Sequence, residues 1–304
     1  MASLTHTPAA GSPSPPRGGA TRLRSLAAYL GAAPFLIYVG VFLLYPTLIV
    51  VLGAFQDDAG QVSTENVQAL TGGVYLEAFL RSIELSATTA AIGAVLGALL
   101  TWAVSTARPD GVLRRVVTSA CGVLAQFGGV TLAFAFLATF GLTGLVTEFL
   151  KDHLGIDIFS GGMWLFDMPG LMLIYTYFQI PLMVIVFLPA MDGLRAQWRE
   201  AVESLGGSTW RYWRHVAAPV LAPSFLGAAL LLFANAFSAY ATAAALVSQG
   251  SPIVPLEIRG FLTSEVMLGQ QNVGKALGLG MIVVVGVVMG LYALLQRRAA
   301  RWLR

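Results

Sequence analysis

Charged residues are scarce in this sequence. Only 11% of its 304 residues are Asp, Glu, Lys or Arg, whereas 57% are hydrophobic. A soluble domain typically carries about 25% charged residues, so this composition excludes one and indicates an integral membrane protein. The single cysteine, Cys121, lies in an apolar stretch, which excludes an internal disulfide and leaves no cluster around which a metal site could form.

Sequence signatures of catalysis are also missing. No G-x-x-x-x-G-K-[ST] pattern is present, so the chain is not its own ATP-driven motor. Glu84 is the only acid within a predicted span, whereas a proton-coupled carrier would keep an ionisable group near the middle of the membrane. His153 and His215 fall on opposite sides of the predicted membrane, which argues against a Ser/His/Asp site. Nucleic-acid binding would need a clustered basic face interleaved with aromatic residues, and the sequence shows no such pattern.

Six apolar stretches are each near the ~20 residues that a membrane helix needs. The sequence therefore predicts an all-α integral membrane protein with six transmembrane helices in one domain, 25–304. Residues 1–24 are rich in Pro, Ser and Gly and predict a disordered cytosolic tail. Thr147–His153 predicts a short amphipathic surface helix in an outer loop. The six predicted spans are about Leu26–Phe55, Ser82–Thr106, Val116–Leu142, Met168–Ala190, Ser224–Val247 and Gly274–Leu295.

Basic residues are distributed unevenly between the two sides of these spans. Fourteen of the eighteen lie in the two terminal segments, the second connector and the fourth connector. The other four are Arg81, Lys151, Arg259 and Lys275. Because cytosolic segments are enriched in Lys and Arg, the pattern predicts that both termini and the segment 193–223 are cytosolic.

The polar stretch Glu200–Pro223 is much longer than a connector between two spans needs to be. Glu200–Leu205 predicts a short helix with its acids in the first turn, where the helix dipole favours them. Gly206 and Gly207 predict its C-terminal cap, with a positive φ at Gly206. Ser208 or Thr209 predicts the cap of a second helix. The prediction is a cytosolic helix–turn–helix wedge; the alternative is a basic loop that only maintains topology.

This stretch resembles the EAA loop of permease subunits of ABC importers. Glu200-Ala201-Val202 matches its opening, Gly206 its glycine, and Val216-Ala217-Ala218-Pro219 its ending. Three residues depart from the family pattern: Val202 replaces an Ala, Leu205 stands where the family often has Asp, and Ala218 replaces a Leu. The resemblance implies a type I importer-like bundle in a prokaryotic inner membrane. It also implies that Glu200, Ala201, Gly206 and Pro219 couple the chain to ATPase subunits, which bind ATP and Mg²⁺, since this chain has no cofactor of its own. A second permease subunit and an extracytoplasmic solute-binding protein are the other implied partners.

Polar residues within the spans predict a translocation path, because such side chains avoid lipid and face a helix bundle. The spacing of Asn235, Ser238 and Thr242 places these three on one helix face. Hydrogen bonding between helices is the structural alternative for each residue. The candidates are Gln126, Gln179, Asn235, Ser238 and Thr242.

The segment from Tyr177 to Ala201 resembles the importer branch for polyamines, phosphonates and ferric iron. The branch that imports sugars is the main alternative within the superfamily. A channel or secondary carrier is the alternative from another class, and a membrane enzyme is the weakest of the three.

Overall fold

The computed structural model describes residues 33–57, 60–108, 110–247, 253–263 and 271–302. These residues are helical apart from turns and one isolated bridge between Gln56 and Val62. The chain divides into two compact units at Val50/Val51. The predicted tail 1–24 and much of the predicted outer loop 248–273 lie outside the described residues.

The helices are α1 (Ala33–Ala54), α2 (Glu65–Ala69), α3 (Gly73–Ser105), α4 (Val112–Gln126), α5 (Gly129–Phe140), α6 (Leu145–Leu154), α7 (Met168–Asp192), α8 (Ala196–Ser204), α9 (Thr209–Ser238), α10 (Ala241–Leu246), α11 (Val254–Thr263) and α12 (Gln271–Trp302).

Six segments of the described chain are long and apolar enough to cross a membrane, which confirms the predicted fold class. They are Ala33–Ala54, Gly73–Ser105, Gly129–Leu154, Met168–Asp192, Thr209–Ser238 and Asn272–Arg297. Which terminus lies on which side of the membrane stays a prediction.

The helix α3 begins nine residues before the predicted start of the second span. Its 33 residues extend for roughly 50 Å, beyond the ~30 Å hydrocarbon layer. The sequence alone assigned its first turns to a polar loop because of their charges. Arg81 forms an ion pair with Glu77 at 2.8 Å, one turn away on the same helix.

The third and fifth predicted spans are each interrupted, which corrects the sequence prediction. Val116–Leu142 was predicted as one helix, but α4 ends at Gln126 and α5 starts at Gly129. The segment Gly129–Leu154 then combines α5, a turn and α6. The short helix predicted within the outer loop is present as α6, and Gly155 ends it with φ +65°.

Glycines allow α3 and α7 to pack closely, because small residues let two helix backbones approach each other. A Cβ at Gly93 would lie 2.7 Å from the Cβ of Gln179, and a Cβ at Gly97 would lie 2.4 Å from that of Met183. Both distances are below any normal contact. The core of the larger unit is therefore built around α3, α7 and α9, with Met183 and Leu232 fully buried.

Two prolines each follow a wide, π-helical turn. A π-helical turn at Gly40–Leu44 precedes Pro46, and another at Trp213–Ala217 precedes Pro219. In the second turn Ala218 donates its N–H to the Trp213 carbonyl, five residues back. Proline has no N–H to continue the ordinary ladder, so the wide turn lets the helix pass through it.

Candidate functional site

The predicted cytosolic wedge is a closed helix–turn–helix. Gly206 has φ +74° and donates its N–H to the Glu203 carbonyl at 3.0 Å; Gly207 donates to the Val202 carbonyl at 2.8 Å. These two bonds form a Schellman cap, in which the left-handed residue is normally glycine. The Ser208 hydroxyl accepts the Arg211 N–H at 3.4 Å and caps the next helix. The predicted positive φ at Gly206 is confirmed.

The start of the first wedge helix was predicted wrongly. The helix α8 begins at Ala196 rather than Glu200, so Glu200 lies in the middle of the helix and no acid occupies its first turn. Glu203 pairs with Arg199 at 2.9 Å. This pairing raises the pKa of Arg199. Glu200 and Ala201 are both exposed, as is Pro219, so their side chains are accessible at the surface of the wedge.

Large apolar side chains are exposed on the wedge, and they are not among the site residues predicted from the sequence. Leu205 is 85% exposed and Trp210 is 72% exposed, on either side of the glycine turn. Gly207 fixes the turn against α8, because a Cβ there would lie 2.5 Å from Val202 Cγ1. The wedge thus holds two apolar groups rigidly in solvent. In the sequence, these two residues could have been recognised as large apolar side chains close to the glycine pair in an otherwise polar stretch.

The two helix breaks meet each other in the larger unit. A Cβ at Gly129, the first residue of α5, would lie 3.5 Å from the Cβ of Ala241, the first residue of α10. The two short helices pack along each other. Gly129 has φ +71°, a conformation that glycine adopts without strain. Both broken spans therefore contribute backbone ends to one place.

A buried tyrosine supports the second break. The hydroxyl of Tyr175 on α7 donates to the Ala239 carbonyl at 2.6 Å, and Tyr175 is 0% exposed. Ala239 follows the last residue of α9 and has an extended backbone, φ −74° and ψ 111°. The carbonyls at a helix end have no partner within the helix, so this bond compensates for one that the break removes.

The structure separates the residues that were predicted to share one helix face. Asn235 and Ser238 are exposed on α9, and Ser238 is its last residue. Thr242 belongs to α10 and is only 2% exposed. The prediction of a common face is wrong because the helix breaks between Ser238 and Ala241. Gln126 is exposed at the end of α4, next to the other break.

Gln179 is enclosed between three helices. It is 0% exposed. Its amide oxygen accepts from Thr89 Oγ1 at 2.9 Å, and its amide nitrogen donates to the Leu232 carbonyl at 3.1 Å. This is the orientation of the amide in which both atoms have complementary partners. The amide therefore joins α3, α7 and α9. This geometry matches the structural alternative; the role of Gln179 in the path stays a prediction.

No protein-family model matches the chain. Curated relatives include the trehalose transport system permease protein SugB of Mycobacterium tuberculosis, 25% identical over 75% of this chain and 74% of that protein. The sulfate transport system permease protein CysW of Escherichia coli is 24% identical over 74% of this chain and 75% of its own length. A protein described as a ferric transport system permease protein of Haemophilus influenzae is 23% identical over 65% of this chain but only 30% of its own length.

Among solved structures, a bacterial alginate ABC transporter in complex with an alginate pentasaccharide-bound periplasmic protein matches with a TM-score of 0.72. The match covers 93% of this chain and 98% of that chain at 17% identity. Such identity shows the fold alone. The relatives of this chain are permease proteins of transport systems for different solutes, and its fold is that of an ABC transporter's membrane chain.

Proposed function

We propose that this chain is the permease subunit of a binding-protein-dependent ABC importer. The observation that carries the proposal is the rigid wedge closed by Gly206, which presents Leu205 and Trp210 to solvent beside the ends of α7 and α9. The proposed partners are ABC ATPase subunits, a second permease subunit, an extracytoplasmic solute-binding protein and the lipid of a prokaryotic inner membrane. ATP and Mg²⁺ would be bound by the ATPase.

The wedge is suited to docking on another protein. Interfaces concentrate their binding energy in a few apolar and aromatic anchors at the centre of the contact. Leu205 and Trp210 are such anchors, and the exposed Glu200 supplies a charge that can pair with a basic group on the ATPase. Ala201, Gly206 and Pro219 would shape the contact. Since the turn is held by two backbone hydrogen bonds, the contact can transmit force into α7 and α9.

The path is proposed to pass the meeting point of the two helix breaks. Irregular backbone is tolerated at membrane depth only where it is buried in protein or lines a water-filled cavity. The exposed Gln126, Asn235 and Ser238 lie within three or six residues of the contact between Gly129 and Ala241 along the chain. Thr242 would support this region from its buried position.

A small polar solute is the proposed cargo. The exposed polar groups closest in sequence to the breaks are amides and a hydroxyl, which bind by hydrogen bonds. Because amides and hydroxyls both donate and accept hydrogen bonds, they can bind either the polyamines or the phosphonates that, with ferric iron, the sequence suggested. A sugar is the second candidate, favoured by the similarity to the trehalose permease.

The test is to look for an ATPase and a solute-binding protein encoded near its gene and to reconstitute the chain with them. We expect ATP-dependent uptake in liposomes, with the solute identified by calorimetry on the binding protein. Asn235→Leu should reduce uptake while the ATPase still co-purifies. Uptake that continues without ATP hydrolysis would instead identify a channel or secondary carrier, and no association with any ATPase would refute the importer assignment.

A further inference from the structure

An ion pair joins two cytosolic helix ends that are far apart in sequence. Nη2 of Arg114, on the first turn of α4, contacts Oδ2 of Asp192, the last residue of α7. The Arg114 side chain is only 15% exposed, whereas that of Asp192 is 41% exposed. The pairs Arg81–Glu77 and Arg199–Glu203, by contrast, each join residues one turn apart on a single helix.

Each partner needs the other at this place. A carboxylate at a helix C-terminus meets the negative end of the helix dipole, which is unfavourable without a nearby cation. A guanidinium that is largely removed from water is costly unless it is paired. Removing either charge would therefore leave the other poorly compensated, and the contact fixes the start of α4 to the end of α7.

Each partner lies close in sequence to a part of the molecule that the proposed function uses. The wedge helix α8 starts only four residues after Asp192, through a tight turn in which Leu194 donates to the Met191 carbonyl at 3.2 Å. From Arg114, α4 runs to Gln126, and the break that meets α10 follows. The pair therefore lies where the wedge and a broken span are joined.

We propose that the ion pair between Arg114 and Asp192 is a positioning contact that transmits displacement of the wedge to α4, and through α4 to the helix break. The proposal rests on the importer function proposed above. A push on the wedge moves the end of α7 and, through the ion pair, the start of α4. Because α4 is a continuous helix, its far end at Gln126 moves with it.

The test uses the complete transporter with its ATPase and binding protein in liposomes. The variants are Asp192→Asn and Arg114→Gln, the charge-retaining Asp192→Glu, and the swap Arg114→Asp with Asp192→Arg. The matched control is Arg115→Gln, which removes the neighbouring exposed arginine. Each is measured for ATPase co-purification, binding-protein-stimulated ATP hydrolysis and solute uptake.

We expect the two charge-removing variants to keep the ATPase and to hydrolyse ATP, while the amount of solute transported per ATP falls about tenfold or more, within the usual range of coupling between sites. Asp192→Glu and the charge swap should recover most of that ratio, and Arg115→Gln should match wild type. A merely structural contact would lower assembly and hydrolysis together with uptake.

Unchanged solute per ATP in both charge-removing variants would overturn the proposal. So would a charge swap that assembles but stays uncoupled. Where a single variant fails to assemble, the swap decides: an assembled, coupled swap supports the proposal and an unassembled one overturns it. A wild-type complex without ATP-dependent uptake would instead refute the proposed function, which keeps the two failures distinct.

Discussion

Gly206 allows the proposed coupling wedge to be weakened in graded steps. Its φ of +74° lies in the left-handed region, where an ordinary residue costs roughly 1–2 kcal/mol. A Cβ built at Gly206 meets no atom within 4 Å, so Gly206→Ala adds backbone strain without a steric clash. The expected penalty is thus the strain alone, about 1–2 kcal/mol, which is a factor of about 5–30 in the equilibrium between the closed and open turn.

The ranking of variants follows from the same geometry. Asn tolerates the left-handed conformation, so Gly206→Asn should be milder than Gly206→Ala, and the β-branched Gly206→Val more severe. Gly207→Ala should fail for a different reason, because its Cβ would lie 2.5 Å from Val202 Cγ1 and 2.8 Å from the Val202 carbonyl oxygen. Gly260→Ala is the control: Gly260 is exposed, has no positive φ and has no atom within 4 Å of a Cβ.

The assay is ATPase affinity for the chain in nanodiscs, together with hydrogen exchange at the amides of Gly206 and Gly207. These amides donate to the Glu203 and Val202 carbonyls, so opening of the turn should speed their exchange. The affinity of the ATPase for the chain should fall in the order Gly206→Asn, Gly206→Ala, Gly206→Val. Glu200→Lys should also lower this affinity, but without faster hydrogen exchange at the two glycine amides. Equal affinity for Gly206→Ala and wild type, or weaker binding by Asn than by Ala, would refute the argument.

Four further predictions test other parts of the molecule. Gly97→Val should destabilise the bundle by about 1–3 kcal/mol, because the added atoms overlap Met183; the midpoint of thermal unfolding measures this, and an unchanged midpoint contradicts the packing. In a Cys121→Ala background, Ser238→Cys should react with aqueous thiol reagents in at least one nucleotide state; complete protection would exclude Ser238 from a wet path. Burial raises the pKa of Glu257 in the folded state above its value in the unfolded state. The folded state therefore loses stability relative to the unfolded state as the pH rises from the unfolded-state pKa through the folded-state pKa. Glu257→Gln should therefore raise the unfolding midpoint at about pH 8 and leave it unchanged below about pH 4, where both states are protonated; an equal effect at both would refute the assignment. A reporter fused after Arg304 should be cytosolic, and an external one would invert the topology.

The wedge could be predicted because its signals are local. Glycine at a helix end and a serine before the next helix specify a cap by their own backbone and hydrogen-bonding preferences, and both were found at Gly206 and Ser208. The start of α8 could not, because Arg195 occupies the N-cap position without a side-chain cap. Without a capping residue, Ala196 and Gln197 extend the helix toward α7, and Glu200 is moved out of the first turn.

The two helix breaks differ in how much of their cause lies in the local sequence. Gly128 and Gly129 mark the first, since the positive φ of Gly129 is cheap only for glycine. The second falls at Ala239 and Tyr240, and neither residue is a helix breaker. Its support comes from the buried hydroxyl of Tyr175, 64 residues away, bound to the Ala239 carbonyl. The spacing of Asn235, Ser238 and Thr242 therefore predicted one helix face from local sequence alone. The helix break that separates them is supported by a hydrogen bond from a distant residue, which local spacing does not reveal. If this region is the path, its geometry depends on a residue that never needs to contact the solute.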